Sequence, residues 1–129
     1  MSETCRVIIA DGNADIRSAL RFLVEQEGDM EVVAEASSSR ALLRQLSLIT
    51  ADILLLDAAF PTASPPAGIE LLRWDHPNLA VIILSPEACS GTIPPPGACC
   101  LISKKDSPES VRQALRAARD KHRGAQKSD

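Results

Sequence analysis

Aromatic side chains are nearly missing from this chain of 129 residues: two phenylalanines, one tryptophan and no tyrosine. A core must then be built from Leu, Ile, Val and Ala. A surface that stacks nucleic-acid bases on rings is disfavoured for want of rings. No apolar run approaches the roughly 20 residues that cross a bilayer. The opening Met1-Ser2-Glu3-Thr4 lacks the charged start and long apolar segment of a signal peptide. Together these absences predict a cytoplasmic protein without membrane contact. A strong charge of either sign is lacking too. The net charge of −3 gives no global attraction to nucleic acid or to an anionic membrane. The four cysteines, Cys5, Cys89, Cys99 and Cys100, lack the paired spacing of a zinc site. In a cytoplasmic setting they are expected as reduced thiols.

What is present is ordinary for a folded domain. Hydrophobic residues make up 45% and charged residues 24%, and this length buries a core without disulfide staples. One domain is expected over residues 1–123, followed by a polar tail, 124–129, with fraying from Lys121 onward. The stretch Asp52-Ile53-Leu54-Leu55-Leu56-Asp57 runs four apolar residues straight into an aspartate. Such a run reads as a strand buried on both faces, the mark of a central parallel strand.

The rest of the chain alternates around it. Arg6–Ala10 reads as a first strand ending at Asp11. Asn13 is a plausible N-cap, and Ile16, Ala19, Leu20, Leu23 and Val24 have helical spacing, with Gly28 as stop signal. Glu31–Ala36 is a more polar strand, nearer an edge. Ser37, Ser38 and Ser39 can cap a second helix whose apolar face is Leu42, Leu43, Leu46 and Ile49. A Pro-rich loop follows Asp57. A short helix spans about Ile69 to Asp75, and Leu79–Leu84 is a fourth strand running into Ser85. Pro94-Pro95-Pro96 forbids a continuous helix where a fourth is due. Ala98–Ile102 is a fifth strand ending at Ser103-Lys104, and Ser107-Pro108-Glu109 starts the last helix. Alternating strands and helices imply a parallel sheet covered on both faces.

Four strands therefore end in a residue that can carry chemistry: Asp11, Asp57, Ser85 and Lys104. In a parallel sheet these ends share one edge, where such folds place their sites. A carboxylate nucleophile attacking a phosphoryl group needs its own charge and that of the phosphate neutralised. A second carboxylate supplies oxygen to a small hard cation. A lysine is a point charge for the transferred group, and a serine hydroxyl can hydrogen-bond a phosphoryl oxygen.

On these residues the sequence resembles the receiver domains of two-component response regulators, particularly those of LuxR-type transcriptional regulators. The likeness covers about Cys5 to Arg119. It is carried by Val7–Asp11, Asp57–Pro61, Gly68-Ile69-Glu70, Val81–Ser85, Gly97-Ala98, Leu101–Lys104 and Ser107-Pro108-Glu109. The resemblance implies an α/β, flavodoxin-like (CheY-like), doubly wound five-stranded parallel sheet of order 2-1-3-4-5, with the fourth helix shortened or absent. It implies Asp57 as phosphoacceptor and Ser85 and Lys104 as phosphate contacts. Mg²⁺ would be held by Asp11, Asp57 and the backbone carbonyl of Ala59. It further implies a histidine kinase or phosphotransfer protein as partner, with a homodimer as an option. No direct nucleic-acid binding by this chain is expected, and no enzyme turnover of a metabolite.

Departures from the family pattern fall on metal, switch and output positions. Gly12 stands where a second adjacent acid is usual, so Mg²⁺ binding is expected to be weak or lost; Asp15 is the acid that could substitute. Leu101 replaces the aromatic switch residue. Two functions stay open: a phosphorylated receiver with an altered output face, and a pseudo-receiver that acts only by binding partners. A flavodoxin-like cofactor binder is disfavoured by the acids of Asp11–Asp15.

The remaining features read more plainly. Cys99-Cys100 are taken as small buried thiols, with Cys89 the better candidate for reactivity. Arg112, Arg116, Arg119, Lys121 and Arg123 make the last helix basic, either as a solvated face or as a partner contact. Trp74 is expected in core or rim packing, and His76 and His122 have no evident catalytic partner.

Overall fold

The computed structural model describes residues 4–60, 68–85, 98, 100–104 and 107–127. Five strands, β1 (Cys5–Ala10), β2 (Met30–Ala36), β3 (Ile53–Asp57), β4 (Ala80–Ser85) and β5 (Cys100–Ser103), form one sheet of order β2-β1-β3-β4-β5. Every pairing is parallel. Four helices are described: α1 (Ala14–Glu25), α2 (Ser39–Leu48), α3 (Gly68–Asp75) and α4 (Pro108–Lys127). This is the doubly wound sheet that the sequence predicts.

Alternation along each strand assigns residues to one face or the other. Val7 and Ile9 of β1, Ile53 and Leu55 of β3, and Ile82 and Leu84 of β4 pack with Leu20 and Val24 of α1 and Val111 and Leu115 of α4. Ile8, Leu54, Leu56, Val81 and Ile83 face the other way, onto Leu42 and Leu46 of α2 and Ile69 and Leu72 of α3. All of β3 is buried, which explains why its sequence is continuous rather than alternating. Each such aliphatic side chain contributes about 1.5–3 kcal/mol on burial.

The caps are local and legible. Asn13 accepts the backbone N–H groups of Asp15 and Ile16 at 2.8 and 3.2 Å, and Ser38 accepts that of Ala41. These bonds satisfy donors that a helix start leaves orphaned. β2 lies at the edge, is mostly half-buried, and slips register between Val7 and Ile8 of its partner.

Three expectations need correction. Trp74 is not packed: it is 84% exposed on α3. The period of α3 turns Ile69 and Leu72 inward, and a residue two after Leu72 falls on the opposite side. Leu43, given to the apolar face of the second helix, is likewise 52% exposed. The last helix continues to Lys127 rather than fraying from Lys121. The segments 61–67 and 86–97 lie outside the described residues. With them go Cys89 and the expectation of a shortened fourth helix. Cys99 lies outside as well, as do the side chains of Cys100, His122 and Arg123.

Arg116 and Arg119 of the basic helix are bound within the chain. Arg116 forms a two-pronged contact with Glu27, with Nε donating to Oε1 at 2.8 Å and a terminal nitrogen donating to Oε2 at 3.1 Å. Arg119 reaches Asp29 at 3.2 Å. These pairs tie α4 to the turn between α1 and β2. No described helix is long and apolar enough to cross a membrane.

Candidate functional site

Parallel pairing delivers the carboxyl ends of β1, β3, β4 and β5 to one edge, and three of the predicted residues meet there. Asp11 follows β1 and is 2% exposed; Asp57 closes β3 and is 9% exposed. Lys104 follows β5, and its backbone N–H donates to the Ser85 carbonyl at 2.7 Å. This bond continues the β4–β5 ladder by one residue and aims the lysine across the sheet edge. Its Nζ lies 2.6 Å from Asp11 Oδ2 and 3.2 Å from Asp57 Oδ1. One ammonium thus bridges two buried carboxylates.

The two contacts differ in kind. That to Asp57 has hydrogen-bond geometry. That to Asp11 Oδ2 is short but poorly aligned, which leaves this buried oxygen with charge neutralisation and no well-directed donor. Burial pulls the lysine's pKa down. The close contact and charge of Asp11, with the hydrogen bond and charge of Asp57, outweigh it and hold Lys104 above its ordinary value.

The backbone also serves the acids. Asp11 Oδ1 accepts the N–H of Asn13 at 2.9 Å, and Asp57 Oδ1 accepts that of Ala59 at 3.3 Å. The Ala58 N–H donates to the Leu84 carbonyl at 2.9 Å, which holds the start of the loop after Asp57 against β4. Both of these contacts of Asp57 fall on Oδ1, leaving Oδ2 without a hydrogen bond among the described residues.

Sequence reasoning missed one positioning residue. Arg17 of α1 donates to the Asp11 backbone carbonyl at 2.8 Å and pairs with Glu35 of β2 at 3.3 Å. It clamps the turn that carries Asp11. The available signal was weak: a basic residue one turn into the helix beside an acidic edge strand. Ser103, 1% exposed beside Lys104 and in register with Ser85, was read only as a strand end.

Other predicted residues do not join the centre. Asp15 is exposed in the first turn of α1, where its N–H is taken by Asn13. Gly12 is exposed, and a Cβ built on it meets only the Ser37 carbonyl oxygen, at an ordinary 3.9 Å. Its backbone does not adopt the left-handed conformation that would demand glycine. Among the described residues, no three acidic, histidine or cysteine side chains gather as a metal cradle. Leu101 packs half-buried against the α2–α3 side of the core.

Comparison with known proteins agrees with this arrangement. The nitrate/nitrite response regulator protein NarP of Escherichia coli is 29% identical over 115 residues, covering 87% of this chain and 54% of NarP. A protein-glutamate methylesterase/protein-glutamine glutaminase of Rhizobium johnstonii is 36% identical over 73 residues, 57% of this chain and 19% of that protein. The chain thus spans between about a fifth and about half the length of these relatives. The isolated receiver domain of RcsB from Salmonella enterica serovar Typhimurium, solved with the phosphomimetic BeF₃⁻, superposes with a TM-score of 0.76 at 23% identity. That match covers 92% of this chain and 90% of the RcsB domain, and shows the fold. A family model described as the response regulator receiver domain matches residues 7–116, and with the sheet order and the edge cluster of Asp11, Asp57 and Lys104 in place, this chain belongs to that family.

Proposed function

We propose that this chain is a receiver that accepts a phosphoryl group on Asp57, with weakened Mg²⁺ binding and an altered output face. The observation that carries this reading is the single ammonium of Lys104 set between Asp11 and Asp57 at the strand ends. A histidine kinase or phosphotransfer protein would be the donor. Asp57 Oδ2 is the oxygen left to attack phosphorus. The new P–O bond forms as the P–N bond of a phosphohistidine breaks, and the imidazole keeps the electron pair and takes a proton from solvent. Lys104 and the Ala59 N–H hold Oδ1 still and offset its charge meanwhile. Ser85, at the end of the neighbouring strand, carries the hydroxyl that would meet a phosphoryl oxygen.

The residues fit a small hard cation only in part. Asp11 Oδ2 is a buried carboxylate oxygen without an aligned donor, the type of group that such a cation takes. Asp57 and the Ala59 carbonyl would complete a donor set that lacks the acid usual at position 12. When bound, Mg²⁺ supplies further neutralisation of the phosphoryl charge. The same lack, with Lys104 already 2.6 Å from Asp11, favours a second reading: a pseudo-receiver that binds partners without phosphorylation.

The test follows amide NMR shifts during titration with Mg²⁺ and then beryllofluoride. NMR is chosen over Trp74 fluorescence because Trp74 lies at the C-terminal end of α3, near the start of β4, whereas Asp57 closes β3. Saturable shifts around Asp57 that vanish in Asp57→Asn are expected. Gly12→Asp should tighten Mg²⁺ about tenfold, roughly 1.4 kcal/mol. If the parent chain is silent while Gly12→Asp responds, the pseudo-receiver reading stands and the lost acid is its cause.

A further inference from the structure

The end of the sheet opposite Asp57 holds features that phosphotransfer does not use. A cavity of about 300 Å³ opens between the C-terminal end of α2 and the turn from α3 into β4. Its wall is mixed: Leu46, Leu48, Ile49 and Leu79 alternate with polar groups, among them Ser47 and Asn78. Leu48 is 75% exposed at the rim, and Trp74, next to the lining residue Asp75, is 84% exposed. A tryptophan this bare is the costliest apolar group to leave in water.

We propose that this α2–α3 face joins two copies of the chain, the Trp74 of each entering the cavity of the other. Three observations select a second copy over another occupant. A knob directly beside a hole is the arrangement that a two-fold axis makes reciprocal. The cavity is at the lower limit of ligand pockets, roughly 300 Å³, large enough for one indole, and its polar lining offers partners for the ring N–H. The charges are complementary across the axis. α2 carries Arg40 and Arg44 and no acid, whereas α3 closes on Asp75, its one basic residue, Arg73, donating to the Pro77 carbonyl of its own chain. Arg44 lies one turn before Leu48 on the same exposed side of α2. Neither Arg44 nor Asp75 forms an ion pair among the described residues. Across the two-fold axis, α2 of one copy sets Arg44 against Asp75 of its partner, and the reverse.

The association needs no phosphoryl group, so its test is independent of Asp57. Sedimentation of the full chain from micromolar to millimolar concentration is read together with tryptophan emission, which reports Trp74 alone because the sequence has no other. A monomer–dimer equilibrium is expected, with emission moving to shorter wavelength as dimer forms. Trp74→Ala should weaken it about tenfold or more, as central interface tryptophans do, with the circular dichroism spectrum unchanged. Arg44→Asp and Asp75→Arg should each weaken it, and the double variant should recover it. A monomer throughout the range overturns the proposal. So does a dimer whose emission stays put and which ignores Trp74→Ala, because it uses another face.

Discussion

At the scale of single residues, the chemistry turns on how one cation is shared. Lys104 is held above its ordinary pKa of 10.5 by two carboxylates despite the penalty of burial. A cationic group whose folded pKa is raised stabilises the fold below its unfolded value and loses that contribution as pH rises through the folded one. Denaturant midpoints are therefore expected to decline above about pH 10.4, and Lys104→Met should flatten that alkaline limb. An unchanged limb in the variant would show that the ion pair carries no net stability. The convergence of Asp11, Asp57 and Lys104 was legible because each ends a run of apolar residues in a parallel alternation. The contact of Arg17 with the Asp11 carbonyl was not. It depends on a rotamer across a strand-to-helix turn, and residue spacing carries no record of rotamers.

At the scale of elements, α4 is joined to the rest of the chain through charge as well as through Val111, Leu115 and Ala118. The Arg116 guanidinium hydrogen-bonded to Glu27 holds that carboxyl below its ordinary 4.5. An acid with a depressed folded pKa contributes above its unfolded value and loses the contribution as pH falls through the folded one. Glu27→Gln should therefore flatten the acid limb of stability below about pH 4.3. The difference should shrink in high salt, since Arg116 is 44% exposed. The same pairs explain what composition could not. A helix rich in arginine reads as a solvated face or a partner contact, yet Arg116 and Arg119 answer acids of their own chain 89 and 90 positions away. Trp74 shows the converse error. Size and apolarity suggested burial, but only the phase of a short helix decides the side on which a residue falls.

At the scale of the whole molecule, two apolar clusters share one sheet, so neither helical layer can melt alone without baring the other side of the same strands. Leu54→Ala opens the α2–α3 cluster and Leu55→Ala the α1–α4 cluster. Each is expected to cost about 2–5 kcal/mol, and both should shift one common transition. The check is coincidence of circular dichroism and methyl NMR melting curves. Two separated transitions would mean that the layers unfold independently. The architecture was readable in advance because both-face burial writes continuous apolar strands, and strands that alternate with helices suit a doubly wound sheet. Residues 86–97 could be read only as unable to form a continuous helix.

Gly12 has a consequence in the currency of heredity. A change of its middle base turns a pyrimidine-ending glycine codon into one for aspartate. The fold sets no obstacle, since the backbone there is ordinary and the nearest atom to a new Cβ is 3.9 Å away. A lineage carrying this chain therefore stands one base from a second acid beside Asp11. On the proposed reading, its affinity for Mg²⁺ is then a trait that selection can reset without rebuilding the sheet.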